Sequence, residues 1–213
     1  MSVNSYICFM YIPAAFQVTD PAVISSFLTE HPFGTLVSSG TDGFPVSAHL
    51  PFLLKEDASN LYVEVHLANV NELASTLKDG SKATMMVSGA RGYVSSSVYT
   101  HMNVPTYNYE AVHLSGEISV MDKDELLQHL KEVVANFEAD RDHPIDFDQW
   151  PERMITGYMT EITGLRLRVQ KTEAAFKLSQ NRNQIDFIRI VDDLKKGTIH
   201  QQLLAEAMLN IKK

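Results

Sequence analysis

Two stretches of the chain concentrate side chains that can do chemistry. "SSSVYTHMNVPTYNYEAVH" runs from Ser95 to His113 and holds hydroxyls, amides, two histidines and three tyrosines, with few aliphatic residues before its end. "KLSQNRN" (177–183) sets Lys177, Ser179, Gln180, Asn181 and Arg182 side by side. Cations interleaved with amides and a hydroxyl suit a phosphate or the edge of a heterocycle. The same residues also suit the start of a helix with solvated charges, and residue types alone leave both readings open. Two shorter polar clusters, "SAHLP" (47–51) and "HLANVN" (66–71), stand at the ends of strand-like segments.

Other chemistries find less support. His49, His66, His101 and His113 follow no metal-ligand spacing, and hydrogen-bonded histidines on loops and strands account for them. Ser95, Ser96 and Ser97 lack an evident orienting acid and base, so they read as a hydrogen-bonding surface rather than a nucleophile. Tyr93, Tyr99, Tyr107 and Tyr109 fit stacking on a planar ligand, packing under the loop, or a subunit interface. Glycine-rich nucleotide loops, nucleophile elbows, HExxH and paired Cys-x-x-Cys motifs do not occur in the 213 residues.

The elements that must position these clusters follow from patterning. Hydrophobic residues make up 45% and charged residues 21%, an ordinary globular balance. "VTDPAVISSFLTEHP" predicts a helix started by Thr19 or Asp20 and Pro21 and ended by Pro32. "FGTLVSSGTDGFPVSAHLPFLL" predicts a hairpin turning at Asp42-Gly43, its second strand running from Pro45 to Leu54. "LYVEVHLA" predicts a third strand, and Asn71 caps a helix expected to stop at Gly80. "KATMMVSG" and "RGYVSSS" predict two strands broken around Gly89. "YEAVHLSGEISVM" predicts a long strand, "DKDELLQHLKEVVANFEADR" a helix capped by Asp122, and "DQWPERMITGYM" a short helix after Trp150. "EITGLRLRVQKTEAAFKLS" predicts a late strand, and two final helices break at Gly197. Strands fill the middle without βαβ alternation. The expectation is therefore an antiparallel, mainly β α+β fold with peripheral helices.

Charge and targeting narrow the setting. The net charge of −8 disfavours phosphodiester binding on average. The one place shaped for a helix-turn-helix is "NQIDFIRIVDDLKKGTIHQQLLAEAMLN", with Gln201, Gln202 and Asn210 as candidate base readers. Asp186, Asp192, Asp193 and Glu206 add negative charge there, so direct DNA contact is weakly supported. The single cysteine, Cys8, cannot form an intrachain disulfide, and the opening apolar stretch is too short to span a bilayer. A cytoplasmic protein without membrane contact is expected. Residues 1–9 read as an extension, with Met10 an alternative start.

At this point the pieces resemble a known family. "MYIPAAF", "FGTLVSS", "AHLPF", "HLANVN", "YVSSSVYTHMNVPTYNYEAVHLSG" and "KLSQNRN" follow the order and spacing of the PaiB family, described as FMN-binding negative transcriptional regulators. The resemblance runs from Met10 to the C-terminal helices. It departs at Val98 and Tyr107, where tryptophans are expected of the family.

The resemblance implies an FMN-binding split β-barrel, antiparallel and Greek-key-like, over residues 10–178. A C-terminal helical segment, 179–213, is expected to pack on the barrel or on a partner. It further implies a homodimer with flavin mononucleotide at the subunit interface. Fitted to that expectation, Lys177 and Arg182 meet the phosphate, while Ser95, Ser96, Ser97, Asn108 and Gln180 serve the ribityl chain and ring edge. Backbone groups of His49, Leu50 and Pro51 line the isoalloxazine, and His66 and Asn69 complete the set. Function on this reading is regulation with little or no turnover. An FMN-dependent oxidoreductase is the alternative, and a haem-handling split barrel with a histidine axial ligand a third.

Overall fold

The computed structural model describes residues 10–57 and 60–211, and the extension expected over residues 1–9 lies outside them. Strands β1 (Gln17–Val18), β2 (Phe33–Ser39), β3 (Pro45–Pro51) and β4 (Leu53–Glu56) are followed by β5 (Leu61–Ala68), β6 (Lys82–Val94), β7 (Thr106–Val120) and β8 (Ile162–Lys177). Helices are α1 (Pro21–Glu30), α2 (Glu72–Thr76), α3 (Lys123–Glu138), α4 (Glu152–Met159), α5 (Gln184–Leu194) and α6 (Ile199–Asn210). The strands hydrogen-bond in the order β3-β2-β6-β7-β8-β5-β4, with β1 added to β8. This is the expected antiparallel, mainly β split barrel. The path stays open between its end strands β3 and β4, which are consecutive in the chain.

Only Phe52 separates those two end strands. The sequence predicts one strand from Pro45 to Leu54. Instead Phe52 is buried and donates its N–H to the carbonyl of Pro32 at 3.0 Å. That bond extends the β2–β3 register one pair beyond Phe33↔Pro51; the chain then changes partner, and β4 pairs with β5 from Leu53↔Glu64 to Glu56↔Leu61. A second correction concerns Gly89. β6 is one strand of 13 residues, not two. Its buried positions are Ala83, Met85 and Val87 before the glycine and Gly92 and Val94 after it, so the inward phase shifts by one residue. Glycine inside a strand often marks such a slip, because it accepts the local twist that an extra residue forces. The helix after Asn71 is also shorter than expected. Leu77 is already extended, and its N–H closes the last turn on Leu73.

The chain divides into two compact units, and β6, β7 and β8 contribute residues to both. The larger comprises 26–87 and 113–172. Its core alternates along the strands, with Leu36, Val63, Val65, Met85, Leu114, Leu165 and Leu167 inside. The register Val63↔Leu167 and Val65↔Leu165 stacks these side chains in facing pairs. α3 starts on a reciprocal capping box. Asp122 accepts from the Asp124 and Glu125 amides, and the Glu125 carboxylate accepts from the Asp122 N–H.

The smaller unit comprises residues 1–25, 88–112 and 173–213, of which 10–25, 88–112 and 173–211 are described. In it β1 pairs with the end of β8 at Gln17↔Ala175, and α5 packs on α6 through Phe187, Ile190, Val191, Leu194, Leu204 and Met208. Gly92 gives Leu204 room. A Cβ there would stand 3.0 Å from its Cδ2.

Candidate cofactor site

In the smaller unit the "KLSQNRN" segment is a built turn. β8 ends at Lys177, and the next two residues are buried. The Gln180 amide closes the turn on both sides, donating to the Phe176 carbonyl at 2.6 Å and accepting from the Leu178 N–H at 2.8 Å. It thus does for the strand end what a neighbouring strand would do. Ser179 has φ +58°, an uncommon conformation for a residue with a Cβ. Backbone in this region costs about 1–3 kcal/mol and persists where the surroundings over-determine it. Here the Asn108 Nδ2 donates to the Ser179 Oγ at 2.8 Å, and the Arg182 N–H donates to the Ser179 carbonyl at 3.0 Å.

The turn presents two cations. Lys177 Nζ bonds Thr106 Oγ1 and lies 6.0 Å from the centre of the Phe16 ring. The Arg182 guanidinium lies over the Tyr99 ring, 4.8 Å from its centre. Among the described residues, no carboxylate lies within ion-pair distance, 4.0 Å, of either. Two polar atoms beside them are buried without a partner, the Tyr99 hydroxyl and Asn108 Oδ1. Such orphans are uncommon in folded proteins and call for an explanation in function.

The polar stretch from Ser95 forms the facing loop. Ser95 accepts from the Ser97 N–H at 3.2 Å and shares a hydrogen bond with the Ser97 hydroxyl at 2.8 Å, turning residues 96–98 into a single 3-10 turn. Of the tyrosines, Tyr99 is buried under Arg182, whereas Tyr93 and Tyr107 are about half exposed. One unit therefore holds Ser95, Ser96, Ser97, Asn108, Lys177, Gln180 and Arg182.

His49, Leu50, Pro51, His66 and Asn69 belong to the larger unit. His49 is exposed on β3, bonded to Thr35 Oγ1 at 2.8 Å and stacked on Phe33, while Leu50 points into the core and Pro51 is exposed. Asn69 ties strand ends together, donating to the Thr160 carbonyl and accepting from the Thr163 hydroxyl. His66 meets His129 of α3, Nδ1 to Nε2, at 3.1 Å. Sequence reasoning missed this pairing. The one available signal was a histidine on the apolar side of α3.

The His129 Nδ1 in turn lies 3.5 Å from Glu64, whose other oxygen accepts from Arg166 Nε at 2.8 Å; Arg166 Nη1 donates to Glu125 at 2.7 Å. These groups line a cleft of about 600 Å³ beside α3. Burial opposes the charge on Glu64, but the neighbouring His129 and the hydrogen bond and charge of Arg166 hold it below the usual carboxylate range. Burial, and secondarily the neighbouring His129, push His66 below the ordinary imidazole value of 6.5.

The sign of the pH effect follows. An unfolded chain protonates His66 near 6.5, whereas the folded chain resists, so stability falls as pH drops below 6.5. The Glu64 contribution is present above its ordinary value of 4.5 and is lost only below it. His66→Gln, which keeps a hydrogen-bonding group facing His129, should flatten the decline in urea midpoint between about pH 6.5 and about pH 5. An undiminished slope would assign the decline to another group.

Comparisons with known proteins place these features in context. The profile of the family described as "Putative FMN-binding domain" matches residues 10–171. It stops before the Lys177–Arg182 turn, whose reading rests on the geometry above. The chain is 36% identical over 186 residues to protease synthase and sporulation protein PAI 2 of Bacillus subtilis (strain 168), covering 87% of this chain and 89% of that protein. In structure it is similar to an FAD and haem binding protein from Mycobacterium smegmatis, with TM-score 0.57 and 16% identity over 81% of this chain and 78% of that one. A conserved hypothetical protein from Mycobacterium tuberculosis gives TM-score 0.56 and 16% identity over 82% and 95%. At such identity the structural likeness speaks for the fold alone.

Proposed function

Because this chain belongs to the PaiB family and carries its FMN-binding domain, we propose that it is an FMN-binding negative transcriptional regulator with little or no catalytic turnover. FMN is the cofactor the family brings, and its isoalloxazine supplies hydride and one-electron chemistry when bound. One observation carries the placement of its phosphate. Lys177 and Arg182 flank a left-handed Ser179, and neither has a carboxylate within 4.0 Å among the described residues. A dianion there gains charge-assisted bonds without displacing an ion pair. The donor set fits the rest of the molecule. Asn108 Oδ1 is a buried acceptor in want of a donor, and Ser95 to Ser97 offer hydroxyls to a ribityl chain. Gln180 serves by shape, since both ends of its amide hold the turn.

The Ser95 and Ser97 hydroxyls bond each other, which favours a binding surface over an attacking group. Regulation on this reading is indirect, through a small molecule or protein partner, in keeping with the acidic balance of the chain. We place the protein in the cytoplasm as a homodimer with FMN at the subunit interface. Among the described residues no helix is long and apolar enough to cross a membrane. Sedimentation at micromolar concentration should show a dimer, and a strict monomer removes the interface site.

The deciding experiment mixes the FMN-loaded protein with NADH and NADPH and follows flavin bleaching and reoxidation. A regulator should turn over at less than about 0.1 s⁻¹, two decades below the median enzyme rate of about 10 s⁻¹. Turnover near the median would make the protein an FMN-dependent oxidoreductase instead.

A further inference from the structure

We propose that Asp186 is a positioning residue that sets the 95–106 loop for cofactor binding, a proposal that rests on the cofactor reading of that loop. Three helices here have a side chain at the third helical position that can cap. In α3 the Glu125 carboxylate returns to its own cap, accepting from the Asp122 N–H at 3.0 Å. In α6 Gln201 does the same for Thr198 at 2.9 Å. In α5 the equivalent group, Asp186, does not serve its own cap N–H. Its Oδ1 accepts from the Thr100 N–H, 86 residues away in sequence, at 2.7 Å.

The site around that carboxylate is built. Asp186 is fully buried. Oδ2 accepts from Asn183 Nδ2 at 2.8 Å, and the Asp186 N–H donates to Asn183 Oδ1 at 2.9 Å, so carboxylate and cap hold each other. His101 Nδ1 stands 3.4 Å from Oδ2. One residue earlier, Tyr99 lies beneath Arg182. Two consecutive loop residues are thus fastened by Arg182, just before α5, and Asp186, in its first turn. Ser95 to Ser97 lie on one side of that anchor. On the other, Thr106 meets Lys177 and Asn108 meets Ser179. The Thr106–Asn108 arm is therefore fixed directly to the turn that carries the two cations, and the Ser95–Ser97 arm lies against α5 beside the Asp186 anchor.

Without the carboxylate, the Thr100 N–H loses its acceptor and the loop keeps only the Tyr99 stack at this point. Asp186→Ala should speed hydrogen exchange over 95–105 in the flavin-free protein by about tenfold or more, and raise the FMN dissociation constant by about tenfold. Asp186→Asn retains an acceptor for Thr100 and should recover most of the loop protection and most of the affinity. Fastening that is merely structural would lower the melting temperature of both variants without moving FMN affinity. The proposal is overturned if Asp186→Ala leaves exchange of the loop unchanged, or frees the loop with no loss of FMN affinity. Should Asp186→Ala fail to fold, Asp186→Ser, whose shorter side chain withdraws the acceptor from Thr100 while keeping a polar group in the first turn of α5, carries the same test, with faster loop exchange and weaker FMN binding expected and parental values in both overturning the proposal. If the unaltered protein takes up no FMN, the cofactor reading itself falls, while exchange in the flavin-free protein still decides whether Asp186 holds the loop.

Discussion

Arg182→Ala should weaken FMN binding by about tenfold or more, one decade being about 1.4 kcal/mol, and should leave riboflavin binding nearly unchanged. A guanidinium fork on a phosphate contributes charge-assisted bonds of roughly 1.5–3 kcal/mol each in favourable cases. Riboflavin lacks the phosphate and cannot use them. The rival account, that Arg182 pairs with Asp186 one helical turn on, meets a direct obstacle. The Asp186 oxygens are taken by Thr100 and Asn183, and the guanidinium lies over Tyr99 instead. A cation over an aromatic face contributes about 0.5–1 kcal/mol at exposed sites and about 2 kcal/mol when desolvated, and with Tyr99 buried and Arg182 half-buried this one falls between. The substitution should therefore lower stability modestly while its larger effect falls on FMN. Arg182→Lys keeps the charge but not the fork, and should fall between. Titrating both flavins into the three proteins gives the answer, and an FMN affinity that stays at the parent value removes Arg182 from the site.

Gly116→Ala should lower stability by roughly 3 kcal/mol or more. For a chain of this size that is a melting temperature about 10 °C lower, at roughly 2–4 °C per kcal/mol. A Cβ at Gly116 would stand 1.9 Å from the carbonyl oxygen of Arg168 and 2.8 Å from its carbonyl carbon. Those are backbone atoms of a paired strand, so no side-chain rotation relieves the clash, and β7 and β8 must part locally. Gly157→Ala is the matched contrast. Nothing lies within 4 Å of its built Cβ, and it sits in exposed α4. Alanine there should add about 0.5–1 kcal/mol by helix propensity and lost chain entropy. Thermal melts of the two variants beside the parent test both signs. A Gly116→Ala melt within a degree or two of the parent would show that the strands yield at little cost.

The fold was legible wherever local chemistry decides. Asp122 and Glu125 announce the start of α3, Asn71 that of α2, and Asp42-Gly43 the hairpin, with Gly43 at φ +90°. Gly197 marks the break between α5 and α6. What escaped depends on partners distant in sequence. The strand divides at Phe52 because the chain exchanges β2 for β5 as its partner there, and no pattern within "LPFLL" records that exchange. Gly89 looks like a strand break because local propensity cannot see the ladders that carry β6 through it. The site followed the same division. "KLSQNRN" stands out by composition, but Gln180 as a staple, Arg182 over Tyr99 and Asp186 on Thr100 are contacts that only the folded chain brings together. The resemblance assigns His66 to the cofactor set, and its bond to His129, 63 residues on, is a contact no local pattern gives.

The smaller unit is assembled from three separated stretches, and the last of them begins at Glu173. A ribosome delivers the chain from the N-terminus, so Ser95, Tyr99 and Asn108 emerge long before Lys177, Ser179, Arg182 and Asp186 exist. Every contact that fixes the loop to the turn spans more than 70 residues. Closing such a span carries a loop entropy that grows only slowly with length, but it cannot be met until both ends have been made. The larger unit is complete in residues once Thr172 has been added, and domains tend to fold as units during synthesis. Assembly of the cation turn against its loop thus waits for the residues from Glu173 onward, and a nascent chain stopped short of Glu173 lacks the residues to make it.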